Sequence, residues 1–89
     1  MRLAIRSDAV ISKDGRILLE GKRLIGDWVK EGEDIEKVCV NKAKKVGMEI
    51  ELARPLHPMI QWVKDNNEEK AVIVSLSYLA QLKEEEHGR

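Results

Sequence analysis

Phenylalanine is absent from this 89-residue sequence, and Trp28, Trp62 and Tyr78 are its only aromatic side chains. With so few large rings available, all three are expected to fill the core, and the tryptophans have a second possible use as plates for stacking a base. A single cysteine, Cys39, cannot close a disulfide within the chain, which excludes a stapled secreted scaffold and fits a reducing compartment. Its place on an expected helix makes it a small buried hydrophobe. Excess charge is also missing. Sixteen basic side chains balance sixteen acidic ones, so the chain as a whole attracts neither nucleic acid nor an anionic membrane, and such a partner would need a local patch. No apolar run approaches the ~18 residues of a membrane span, and the start "MRLAIRSDAV" lacks the apolar centre of a signal peptide. A cytoplasmic location is the resulting expectation. There is no glycine-rich phosphate loop and no Ser-His-Asp order, and His57 and His87 have no cysteine or acidic partners at metal-ligating spacing.

The chain is long enough for one small domain and too short for two, with a thin core. Charged residues make up 36% of it, mostly Lys and Glu, a bias associated with proteins from hot environments. We assign residues 1–82 to the domain and 83–89, "KEEEHGR", to a charged, frayed tail.

Apolar and β-branched residues over 2–12 predict a strand, "KDG" at 13–15 a tight turn, and "RILLE" at 16–20 the returning strand of a hairpin. Three glycines and mixed charges over 21–33 predict a partly extended loop anchored by Trp28 and Val29. Asp34 stands where an N-cap or first-turn acid belongs. Ile35, Cys39, Ala43 and Val46 then recur at helical spacing up to Gly47, a natural stop. "MEIELARP" at 48–55 alternates as a half-buried strand does. Segments 60–64 and 70–82 flank the turn-rich "DNNEE" as a second hairpin. The fold class expected is α+β: a mixed sheet of about five strands with one main helix on one face.

Three pieces, "DGRILL", "GEDIEKV" and "VGMEIEL", resemble in this order the Nudix family of hydrolases. Members commonly carry D-G-x-I-L-L, then L-P-G-G-x-V-x-x-G-E, then R-E-U-x-E-E-x-G-U on a helix (U apolar), and a further strand. Here "LIGDWVKEGE", residues 24–33, matches the middle motif without a gap, keeping Gly26, Val29, Gly32 and Glu33, while Asp27 replaces the second glycine. "AVIVSLSYLAQL" is similar to the strand that commonly follows, so the resemblance covers nearly the whole chain. It implies a truncated α/β/α sandwich, because the family usually continues with another strand and a closing helix.

The resemblance also implies that the metal-binding half of the motif is missing. Counting forward from Glu33 puts the family's arginine at Asn41 and its glutamates at Lys42, Lys45 and Val46. Counting back from Gly47 puts them at Val40 and at Asn41, Lys44 and Lys45. The forward count keeps Ala43 in step with the apolar stripe. In neither register does a glutamate survive. Nudix enzymes hold Mg²⁺ or Mn²⁺ with these carboxylates, and lysine offers no oxygen to a hard cation. A divalent ion ~4 Å from one ammonium is opposed by ~2 kcal/mol even in water.

The expectation is therefore a degenerate Nudix-like domain without catalytic residues, cofactor or metal. It would bind a nucleotide-type or other phosphate ligand through Asn41, Lys42, Lys45 and Trp28, or act as an interaction module. The competing account of those lysines is a solvated basic helix face. The alternative function is a metal-dependent hydrolase of nucleoside-diphosphate derivatives with ligands relocated to Glu31, Glu33, Asp34 and Glu36. A homodimer or larger assembly is expected as well. One helix hides one sheet face, yet Val72, Val74, Leu76 and Tyr78 alternate with Ile73 and Leu79, between which Ser75 and Ser77 permit close approach of another layer.

Overall fold

The computed structural model describes residues 2–64 and 70–83. Strand β1 (Arg2–Lys13) turns through Asp14 and Gly15, both at positive φ, into the short β2 (Arg16–Ile17), with Lys13 opposite Arg16. Asp-Gly is the dipeptide such a turn requires. After Leu18 comes β3 (Leu19–Glu20), which pairs with β4 (Arg23–Trp28) across a second turn containing Gly21. Helix α1 (Ile35–Lys45) leads to β5 (Ile50–Pro55), β6 (Met59–Lys64) and β7 (Lys70–Leu82). The fold is α+β, one helix on a mixed seven-stranded sheet of order β3-β4-β1-β7-β5, with β2 added to β1 and β6 to β7.

Strand β1 is central. It pairs antiparallel with β4 (Asp8 opposite Gly26) and parallel with β7, from Arg2 opposite Ala71 to Ile11 opposite Ala80. Partners in a ladder point to the same side, and sides alternate along each strand. Ser7, Ala9 and Ile11 of β1 therefore face the helix with Ile25 of β4 and with Tyr78 and Ala80 of β7. The buried apolar cluster is Ala9, Ile11, Ile25, Cys39, Ala43, Ile50 and Ala80, with Met48, Leu52 and Tyr78 packed against it. The small residues let the helix lie close, and the Ser7 hydroxyl donates to the Ile35 carbonyl, tying the first helical turn to the central strand.

Both helix ends follow from local chemistry. The Asp34 carboxylate accepts from the Glu36 and Lys37 N–H groups at 3.0 and 3.3 Å, so it is the N-cap. At the other end Val46 is the C-cap and Gly47, at φ +90°, takes the left-handed turn. Met48 N–H reaches Ala43 O at 2.8 Å and Gly47 N–H reaches Lys44 O at 3.0 Å, the two bonds of a Schellman stop, and Met48 tucks against the core.

Several expectations are corrected. The 21–33 segment is not all loop. It contains β4, hidden by the glycine in its interior, because Gly26 reads as a breaker when its partner strand is not in view. The 16–20 strand is split at Leu18, which bonds Ile11 O instead. Val46 leaves the buried stripe because it caps the helix, and Val38 takes its place in the interior. Trp28 and Trp62 are not core fillers: they are 41% and 68% exposed. The linker "DNNEE" and most of the expected tail lie outside the described residues.

Gly26 is a packing requirement rather than a flexible joint. A Cβ there would lie 2.1 Å from both Asp8 Oδ1 and Ser7 O, the second of them backbone that cannot step aside. Gly26→Ala is expected to lower the unfolding free energy by about 3 kcal/mol, measured by urea titration. Loss of under about 1 kcal/mol would mean that β4 is not held at this spacing.

Cys39 is fully buried, and burial is the main reason its thiol is pushed above the ordinary range, against a smaller lowering influence of the neighbouring Ser7 hydroxyl. A raised thiol pKa keeps the proton on in the folded state. Its contribution is therefore fully present below the unfolded thiol's pKa and is lost as pH rises from there through the folded one. Tyr78, raised by burial and then by Glu36, adds to the same alkaline loss. Urea midpoints followed from neutral into alkaline pH should fall, and less steeply in Cys39→Ala. An equal slope in the variant would remove Cys39 from the account.

Candidate functional site

Polar side chains gather in a groove of about 670 Å³ between α1 and the segment leaving β4. Trp28, Asn41, Lys42 and Lys45 all line it, so the four residues singled out for a ligand do converge. Lys30, Lys37 and Lys44 join them, as do the acids Asp27, Glu33 and Asp34. Each of these carboxylates is already engaged by backbone. Asp27 accepts from Trp28 N–H at 2.8 Å, Glu33 from Lys30 N–H at 2.7 Å, and Asp34 caps the helix. Five ammonium groups against three occupied carboxylates make the groove basic, although the chain as a whole is neutral.

The lysines are not equivalent. Lys42 is partly buried and lies 3.5 Å from Glu20 of β3, so part of its charge is answered within the fold. Lys44 and Lys45 stand exposed in the last helical turn, where the helix dipole also favours cations. Neither forms an ion pair among the described residues. Lys37 reaches the groove from the first turn, beside the helix N-terminus and its anion-favouring dipole.

The motif remnants have structural employment. Gly26 admits Asp8, Gly32 takes φ +84° in the turn closed by Glu33 N–H to Lys30 O at 3.0 Å, and Gly47 ends the helix. Val29 N–H bonds Ile5 O at 2.8 Å, carrying β4 pairing one step further. Glu33 staples its own turn through Lys30. Glu31, Glu33, Asp34 and Glu36 are all exposed, and no three of His, Cys, Asp and Glu gather as a metal site among the described residues.

On the sheet face away from the helix lies a second concavity, about 360 Å³, that sequence reasoning missed. Arg6 Nε and Nη2 both donate to Asp8 Oδ1, at 3.2 and 3.0 Å, and the guanidinium sits 5.1 Å from the centre of the Trp28 ring. Arg23, Gln61 and Ser75 complete its polar lining. Ser75 and Ser77, expected to admit an apolar layer, instead stand beside Arg6 and Asp8 in the ladder, so this face is partly ionic. The available signal was "RSD" at 6–8, a polar inset in an otherwise apolar strand. Trp28 borders both concavities and links them at the edge of β4.

No family model and no curated protein sequence matches this chain. No helix among the described residues is long and apolar enough to cross a membrane.

If Asp34 serves as a cap, Asp34→Ala should cost about 1 kcal/mol of unfolding free energy while Asp34→Asn, which still offers an oxygen, costs only a few tenths. Equal loss in both, read by urea titration, would assign the carboxylate's charge some other task.

Proposed function

We propose that this is a degenerate Nudix-like domain, cytoplasmic, that binds a phosphate-bearing ligand of nucleotide type and does not hydrolyse it. The observation that carries the reading is the groove in which Asn41, Lys44 and Lys45 meet Lys37 and Trp28. Lysine is a competent phosphate partner, the amide of Asn41 can donate beside it, and the ring of Trp28 offers a face to a base. Where the resembling enzymes place glutamates for a divalent ion, both registers here place Lys45. The positive charge that would repel a metal is the charge a phosphate needs. Electrostatics of this kind act over a short range and weaken with salt.

The test uses Trp28 as reporter in a Trp62→Phe background. Titration with ADP and with ADP-ribose should change the fluorescence, with affinity falling as salt rises and falling about tenfold in Lys44→Ala/Lys45→Ala. Affinity unchanged in that variant would reduce the helix to a solvated basic face. Product release is followed in the same samples with Mg²⁺ or Mn²⁺ and is expected to stay at background. Metal-dependent turnover that vanishes in Glu33→Gln would establish the relocated-ligand hydrolase in its place.

A further inference from the structure

Among the described residues, nothing packs over the end of the sheet away from the helix. Helix α1 packs mainly on β4, β1 and β5, and it leaves uncovered the early part of β1, the early part of β7 and all of β6. There Leu3, Met59, Ile60 and Trp62 are each 64–70% exposed. From the ladders, Leu3, Ile60 and Trp62 share the helix-side face with Val72 and Val74, while Met59 and Val63 lie on the other. The radius of gyration, 14.8 Å, exceeds the about 12 Å of a compact chain of this length, as a projecting sheet end would make it.

The sheet's edges are treated unequally. On one side β3 is only two residues long. On the other, β5 is interrupted by a bulge between Leu52 and Arg54 and carries Glu51, Arg54 and Pro55, devices that discourage strand addition. Strand β6 is less guarded. Among the described residues it pairs only with β7, it spans six residues without bulge or proline, and its one charge is Lys64 at its end.

We propose that β6 pairs antiparallel with β6 of a second copy about a twofold axis through Gln61, making one continuous sheet of two chains. The sequence around that axis is symmetric in character: Met59 and Ile60 before Gln61, Trp62 and Val63 after it. In this register Ile60 meets Trp62 of the second copy on the helix side, Met59 meets Val63 on the opposite side, and Lys64 falls opposite Pro58, so no like charges face each other. A twofold normal to the sheet keeps both helices on one face and joins the two bare apolar strips. At the seam the exposed apolar side chains are Met59, Ile60 and Trp62, which offer on the order of 300 Å² per copy. That is under half the ~800 Å² per partner of a standard interface, before the backbone ladder and half-buried neighbours are counted.

Light scattering at micromolar concentration should give twice the chain mass of 10.2 kDa. Trp62→Lys should give the single-chain mass with an unchanged circular-dichroism spectrum, since Trp62 contributes little to its own core. Gln61→Cys should form a covalent dimer on mild oxidation, because residues directly opposite in an antiparallel pair have Cα atoms within disulfide reach. Glu51→Cys, on the guarded edge, should not, and Cys39 is too buried to compete. A wild-type monomer overturns the proposal. So does a dimer that survives Trp62→Lys, or one in which Gln61→Cys fails to cross-link.

Discussion

Strand β1 is the member that the other parts lean on, because it lies mid-sheet between β4 and β7 and carries the helix on one face. Its parallel ladder with β7 sets the sheet, and its antiparallel ladder with β4 pairs Trp28 with Arg6 on the far face and leads the chain into the lysine-bearing groove beside the helix. Two consecutive residues divide the labour: Ser7 holds the helix through Ile35, and Asp8 on the opposite face holds Arg6, which in turn lies over Trp28. Both are fully or nearly fully buried polar residues, and each has its partner. Hydrogen bonding is what makes burying them tolerable in so thin a core.

The groove's basic character is a matter of number and placement, five lysines against three carboxylates. Capping, turn closure and a side-chain-to-backbone bond engage Asp34, Glu33 and Asp27, leaving lysines as the groups free to meet something from solution. Helix polarity adds to this, since cations suit the last turn and carboxylates the first. A groove can thus carry an excess of positive charge within a chain whose formal charges cancel.

Elements with local signals were legible in the sequence. Asp14-Gly15 announced the first hairpin, Asp34 and Gly47 bracketed the helix, and the periodicity of Ile35, Cys39 and Ala43 gave its inner side. What stayed hidden depended on partners distant in sequence. Gly26 and Asp27 look like loop residues until Asp8 and Ser7 are set beside them, and the exposure of Trp62 follows from where the helix ends rather than from Trp62 itself. For the candidate site, Asn41, Lys42 and Lys45 were identifiable from their helical spacing, and Trp28 as one of the few aromatic rings able to stack on a base. Lys30 and Lys37 were not, because only the turn at Gly32 folds them toward the same opening. The ion pair of Lys42 with Glu20 was likewise beyond reach, since it joins the helix to a two-residue strand.

The parallel pairing of β1 with β7 has a kinetic consequence. Arg2 and Ala71 are neighbours in space but 69 positions apart in the chain, so the central ladder can close only after nearly all the intervening residues exist and have been drawn together. Hairpin contacts around Asp14 and Gly21 can form early, whereas the sheet must wait on a large loop-closure entropy. During synthesis one hydrogen-bonding edge of β1 would therefore stay open until β7 leaves the ribosome. For this chain, acquisition of the native state is tied to the late appearance of one strand, and a pause in translation before residue 70 would hold it in an unfinished, adhesive form.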